Sequence, residues 1–274
     1  MALTQFQRDV CRLLARRRVS SGESYVAGGA ALNELLGAPR VSRDLDPFHD
    51  TETAVDASWQ GDRHLLEEEG FTVKPLRERP SYVEAEVGAG HERLILEWMR
   101  ESAYRFFPLV QHDELGLVLH PFDLATNKVL ALVGRLEVRD WVDVIECSDR
   151  LQPLGFLAWA ASGKDPGFSP LSILEQAARS RYSVVEVASL AFDGPPPDAA
   201  SLSKRWHASL AEAAETVALL PASESGKCVL DTSGALVRQG PDGLRRALSN
   251  GSIKFHAGSI RGALPRVVER TGET

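Results

Sequence analysis

The chain has 274 residues, 43% of them hydrophobic and 25% charged, with a formal net charge of −7. This is the profile of an ordinary globular protein of one large or two ordinary domains, and it excludes a surface coated in positive charge for gripping nucleic acid. A local basic groove stays open. The cysteines, Cys11, Cys147 and Cys228, lie far apart without a CxxC pair, so no disulfide framework or zinc ribbon can be read from them. The stretch "MALTQFQRDVCRLLARRRV" is charged throughout and lacks the apolar core of a secretory signal, and no apolar run matches a bilayer. A cytoplasmic protein with no membrane partner is the expectation.

In chain order, Phe6, Val10, Leu13 and Leu14 recur at helical spacing and predict a helix over residues 4–18. "SYVAGG" reads as a short strand ending in a glycine turn, and "ALNELLG" as a helix stopped by Gly37 and Pro39. "RDLDPF" reads as a strand in which Pro47 ends regular pairing or marks an edge. Residues 51–69 read as a helix, and "FTVKPL", "YVEAEV" and "RLILEWM" as strands. From "HPFDLATNKVLALVGRLEVRDWVDVIECSDRL" the pattern turns helical, with Asp123 placed as an N-cap, and helices follow at 152–163, 169–180 and 182–192. "DGPPPDAAS" is a linker. A long helix, a hairpin around "CVLDTSGALVRQG" turning at Thr232, Ser233 and Gly234, and a helix at "DGLRRALS" complete the chain. The pattern predicts an α+β core over 1–120, a helical region over 121–192 and a helix–hairpin–helix region over 201–274.

Two aspartates, Asp44 and Asp46, flank Leu45. On a strand, residues i and i+2 share a face, so both carboxylates project together while Leu45 turns to the core. Paired carboxylates suit Mg²⁺, a hard cation that takes one or two carboxylates and leaves its other positions to water and phosphate oxygens. A lone DxD is more often an incidental strand end. Gly28-Gly29 sits earlier, between a strand and a helix, where bare backbone N–H groups can approach phosphates. A tight turn accounts for that pair equally well by itself; strand, GG, helix and DxD strand together are harder to assign to chance.

Other motifs fail. "ASGKDP" and "SESGKC" lack the remaining residues of a Walker A loop, "EVGAGHER" lacks the third glycine of a dinucleotide fold, and neither HExxH nor GxSxG occurs. His49 and His120 read as satisfied surface or core histidines. "CRLLARRR" and "SIKFHAGSIRGALPRVVER", with Lys254, Arg261, Arg266 and Arg270, are basic stretches that read as solvated faces, and as the first places to look if the substrate is RNA.

The segment "GGAALNELLGAPRVSRDLD" resembles the DNA polymerase β-like nucleotidyltransferase superfamily, and most closely the AbiEii/AbiGii-type toxin nucleotidyltransferases. Arg40, Ser42, Asp44, Leu45 and Asp46 stand at the places of that family's Arg-x-Ser/Thr-x-Asp-hydrophobic-Asp strand. "NKVLALVGRLEVRDWVDV" supplies Lys128, Arg135, Arg139, Asp140 and Asp143 in the order of its lysine and Arg-Asp-x-x-Asp helices. The match covers about residues 22–50 and 121–147. It departs at Pro47, and for a third acid on a later strand it offers only Glu97.

The resemblance implies a nucleotidyltransferase core with a mixed sheet and flanking helices, followed by a mostly helical C-terminal region. It implies Mg²⁺ on Asp44 and Asp46, the triphosphate of an NTP against Gly28 and Gly29 near Ser42, Lys128 neutralising phosphate charge, and Asp143 orienting Lys128 or the acceptor. The implied acceptor is the 3′ end of tRNA, with a cognate antitoxin as protein partner. Taken alone, Lys128 reads as a surface lysine, and Arg139 with Asp143 as an i, i+4 pair with Asp140 as a cap. The same core also serves transfer to small molecules such as aminoglycosides or to proteins. A nucleotide-binding module without catalysis is the alternative outside enzymes.

Overall fold

The computed structural model describes residues 3–42 and 44–265. Arg266 and Arg270 of the basic C-terminal stretch lie outside the described residues. The chain forms two compact units: Met1–Ala103 with Leu109–Leu124 and Ser189–Pro196, and Tyr104–Pro108 with Ala125–Ala188 and Pro197–Thr274. Among the described residues, no helix is long and apolar enough to cross a membrane.

The first unit opens with α1 (Gln5–Ser21), whose ends are chemically fixed. The Thr4 hydroxyl accepts the Gln7 amide at 3.2 Å, and the Gln7 side chain accepts the Thr4 amide at 2.8 Å. Gly22, at φ 69°, closes the helix in the left-handed region. Then come β1 (Ser24–Ala27), α2 (Gly28–Leu36), β2 (Asp44–His49), α3 (Glu52–Glu68), β3 (Thr72–Arg79), β4 (Tyr82–Ala89) and β5 (Glu92–Arg100). The two-residue β6 (Tyr104–Arg105) belongs to the second unit, and β7 (Val110–His112) and β8 (Gly116–Val118) return to the first.

Seven strands form one sheet in the order β3-β4-β5-β2-β1-β8-β7. It is mixed: β2 runs antiparallel to β1 and parallel to β5, and β1 runs parallel to β8. Alternation sends Val83, Ala85, Val87, Leu94, Leu96 and Trp98 into the core, against α3. There Trp59 of α3 meets Trp98 edge-on at 5.0 Å, and the Trp98 indole donates to Asp62 at 3.0 Å.

Pro47 neither ends β2 nor marks an edge. β2 continues to His49 in the middle of the sheet, and Pro47 pairs with Val26. The β2–β5 ladder runs through Asp44, Leu45, Phe48 and His49 and skips Asp46 and Pro47, because a proline nitrogen has no hydrogen to give. A flanking antiparallel neighbour holds the strand straight across that gap.

α4 (Pro121–Arg135) opens on His120, whose Nδ1 accepts the Phe122 amide at 3.2 Å. Asp123 is therefore not the cap; it lies inside the first turn and is buried. The second unit continues with α5 (Val138–Arg150), α6 (Leu154–Ala161), α7 (Pro170–Ala177), the one-turn α8 (Val184–Ala188) and α9 (Ala199–Leu219). It ends with β9 (Cys228–Asp231), α10 (Pro241–Ser249), β10 (Ile253–His256) and β11 (Ser259–Ile260).

The expected hairpin around Ser233 is only half formed. The turn exists, because the Asp231 carboxylate collects the amides of Ser233 and Ala235. The second arm, however, contributes one isolated bridge, Leu230 to Leu236, and β9 pairs instead with the distant β10.

α6 lies so close to α9 that a methyl group on Gly155 would stand 2.7 Å from Thr216 Cβ and 3.0 Å from the Ala213 backbone. Overpacking of this kind costs about 1–3 kcal/mol. Gly155→Ala is accordingly expected to lower the unfolding free energy by about that amount in urea denaturation.

Candidate active site

In the first unit the glycine pair and the DLD strand are one object. The β1–β2 register sets Ala27, the residue before Gly28, directly across from Asp46. Gly28 has φ +74°, a conformation glycine adopts freely, and a methyl group there would fall on Asp46 Oδ2 and 3.0 Å from its carboxyl carbon. The carboxylate thus fills the space that any side chain at Gly28 would need. Gly29 is crowded in its turn: a methyl group would meet the Arg40 guanidinium and stand 3.5 Å from Ser42 Oγ.

The loop between α2 and β2 is held in place by backbone. Val41 donates to the Ala191 carbonyl at 2.9 Å and Asp193 to the Pro39 carbonyl at 2.7 Å. Gln7 of α1 donates to the Ser42 carbonyl at 3.0 Å. Arg40 and Ser42 are buried by this packing.

Leu45 faces the core, as alternation predicts, and Asp46 lies on the other side of the sheet. Asp44 opens β2 in register with Ile95. The pairing of Leu45 with Leu96 also brings Asp46 into step with Glu97 on β5. Glu97 pairs across with Glu84, and Glu84 with Arg77. A row of charged residues thus crosses the open face from the edge strand to the glycine turn.

Tyr82 serves this row: its hydroxyl bonds Glu84 at 3.4 Å and also Glu97, and the Arg77 guanidinium sits 5.8 Å from its ring centre. Burial and the two carboxylates push the Tyr82 hydroxyl up to about 12, so it stays a donor at neutral pH. Sequence reading missed Tyr82, Glu84 and Arg77. The signal was the alternation in "YVEAEV", which puts the glutamates on Glu97's face.

His49 is fully buried on the opposite face, bonded through Nδ1 to the Met99 carbonyl at 3.3 Å. Burial pushes it down to about 4, leaving it neutral at pH 7.

The Asp46 carboxylate is the kind of oxygen ligand that a hard divalent cation takes. The donors are carboxylate oxygens, and a cradle free of Cβ atoms lies against Asp46. Among the described residues, no group of three histidine, cysteine or acidic side chains converges as it would for a metal ion held by side chains alone.

In the second unit Lys128 is not a surface lysine. Its ammonium is buried between Asp140, at 3.0 Å, and Asp143, at 3.2 Å, and both carboxylates are 0% exposed. Arg135 adds bonds of 2.6 and 2.9 Å to Asp140. Asp140 is not a cap, and Arg139 pairs with Glu137 at 2.6 Å while Asp143 turns to Lys128. Burial alone would raise the Asp140 carboxyl, but Arg135 and Lys128 outweigh it and hold the pKa below the usual aspartate value.

No family model and no curated protein sequence matches the chain. In structure it is similar to JHP933 from Helicobacter pylori, with a TM-score of 0.51 at 14% identity, over 79% of this chain and 95% of that one. MenT4, a nucleotidyltransferase toxin from Mycobacterium tuberculosis, gives 0.47 at 18% identity over 80% of this chain and 83% of that one. The Megavirus polyadenylate synthase gives 0.39 at 12% identity over 53% and 32%. At 14% identity the likeness to JHP933 is one of fold. The chain is α+β, as expected, and shares its fold with JHP933.

Two outcomes are expected. Lys128→Met, which leaves buried carboxylates without their cation, lowers stability by about 3–5 kcal/mol in chemical denaturation. Asp140 titrates lower folded than unfolded, so its contribution is full above its unfolded pKa of about 3.9 and is lost as pH falls through the folded value. The stability gap between wild type and Asp140→Asn therefore holds from neutral pH to about pH 4 and closes below it.

Proposed function

We propose that the protein transfers a nucleoside monophosphate from an NTP to an acceptor hydroxyl, with Mg²⁺ as cofactor. The observation that carries this reading is the Asp46 carboxylate lying in the space of the missing Gly28 side chain. This supports a reading in which nucleotide and metal meet at one turn.

Asp44 and Asp46 would hold Mg²⁺, which when bound supplies charge neutralisation for the triphosphate and for the attacking and leaving oxygens. The triphosphate would lie against the N-terminus of α2 at Gly28 and Gly29, near the Ser42 hydroxyl and the Asp46 carboxylate. The acceptor oxygen attacks the α-phosphorus in line as the bond to the bridging oxygen breaks. Pyrophosphate leaves, and the hydroxyl proton passes to solvent or a carboxylate. Glu97, in step with Asp46 and bonded by Tyr82, extends the acidic row. Lys128 enters the reading from the sequence resemblance, as a group that neutralises phosphate charge. The grip of Asp140 and Asp143 on its ammonium supports an orienting part for Asp143.

The acceptor we propose is the 3′ end of tRNA, the protein acting as a cytoplasmic toxin opposed by a cognate antitoxin. This part rests on the resemblance of residues 22–50 and 121–147 to the AbiEii/AbiGii-type family. Purified protein, Mg²⁺, each α-³²P-labelled NTP in turn and total tRNA test it, with Asp46→Asn alongside. Label on tRNA from one NTP is expected, falling to background in the variant. Label that persists in folded Asp46→Asn overturns the site, and label on protein alone overturns the acceptor.

A further inference from the structure

On the core-facing side of the sheet, a second polar cluster in the first unit takes no part in this chemistry. Arg18, near the end of α1, is 2% exposed. Its guanidinium meets the Leu115 carbonyl at 3.4 Å and the Cys11 thiol. Its Nε has no partner, and no carboxylate among the described residues lies within ion-pair reach of it. Asp62 offsets its charge at longer range but is shared with Arg17, and a buried guanidinium with an unmet N–H is costly unless something satisfies it. Ser24, the first residue of β1, is also 2% exposed, and its hydroxyl likewise has no partner.

Arg18 and Ser24 line the same cavity, of about 130 Å³. That is room for roughly four waters at about 30 Å³ each, or for one tetrahedral oxyanion with a water. Arg17, Asp62 and Glu23 line it too. Asp62 is already engaged, accepting from Arg17 at 3.2 Å and from Trp98 at 3.0 Å, and Glu23 is half-buried. Two buried donors in the lining have no partner, the Arg18 Nε of a permanent cation and the Ser24 hydroxyl.

We infer that this cavity is a binding site for a small oxyanion of the size and charge of inorganic phosphate, held by Arg18 and Ser24. The site is separate from the Gly28–Asp46 turn and does not depend on nucleotidyl transfer. The anion accepts from the Arg18 Nε and from the Ser24 hydroxyl, and it tightens α1 against β1.

Thermal unfolding of the full chain under a phosphate titration, with sodium chloride at matched ionic strength as reference, tests the inference. Wild type and Ser42→Ala are expected to show the same saturable, phosphate-specific rise in Tm. Ser24→Ala weakens the apparent affinity about tenfold, the loss of one charge-assisted hydrogen bond, and Arg18→Lys abolishes it. Because Ser24→Ala removes one oxygen from an intact strand, it keeps the experiment readable should Arg18→Lys fail to fold. Three results overturn the site: no phosphate-specific rise in wild type, a rise unchanged in Ser24→Ala, or a rise lost in Ser42→Ala, which would place the anion at the glycine turn.

Discussion

One pairing organises the candidate site: Ala27 of β1 opposite Asp46 of β2. Antiparallel register is discrete, so a slip by one residue would turn Asp46 into the core and Leu45 out of it. Burial of Leu45, Pro47 and His49 on one face fixes that choice. Once it is fixed, the carboxylate of Asp46 must land over the first residue of α2, and only glycine leaves space for it. The glycine is thus required from two directions, by the backbone, which turns there with φ +74°, and by the acid above it. Arg40 repeats the arrangement at Gly29, where its guanidinium takes the corresponding space.

The second unit uses charge differently. Lys128, Arg135, Asp140 and Asp143 neutralise one another within α4 and α5, with the carboxylates wholly buried. Such a cluster contributes little net stability compared with an apolar core of equal volume, because desolvation offsets most of the Coulomb gain. What it supplies is specificity: loss of any member strands its partners, so the α4–α5 corner has one acceptable arrangement. A lysine clamped by two aspartates also has a fixed direction, which a solvated surface lysine lacks.

Much of this was legible in the sequence where the cause was local. Helical spacing gave α1, α3 and α9, two-residue alternation gave β3, β4 and β5, and the GG turn and DLD strand were read from their residues, though not the contact of Gly28 with Asp46. What stayed hidden depended on partners distant in the chain. Pro47 reads as a strand end because sequence does not show that β1 and β5 flank it. The residues around Ser233 read as a hairpin because β10, which takes the pairing, lies more than twenty residues on. Lys128 reads as exposed because the aspartates that bury it lie on the next helix. Arg18 reads as one of a basic run, yet α1 turns it inward while Arg16 and Arg17 stay outside. For a permanent cation, burial is the less expected outcome.

The open face of the sheet sets a constraint on any nucleotide that binds there. Asp46, Glu97 and Glu84 are brought into one row by register, and of the strand residues in that row only Arg77, at the far edge, is cationic. A triphosphate carries several negative charges, so it is repelled by this row at short range, where Coulomb terms are strongest and least screened. The glycine turn invites phosphate through its backbone N–H groups, while the acids beside it repel it. Both features belong to one site only if a cation stands between them, and a divalent ion with oxygen ligands is the species that carboxylates and phosphates share. On the function proposed above, the acidic row would select for the metal complex of the nucleotide over the bare anion. On that reading, removing the negative charge of Asp46 would lessen the repulsion and weaken the proposed metal site together, which would separate binding of nucleotide from its transfer.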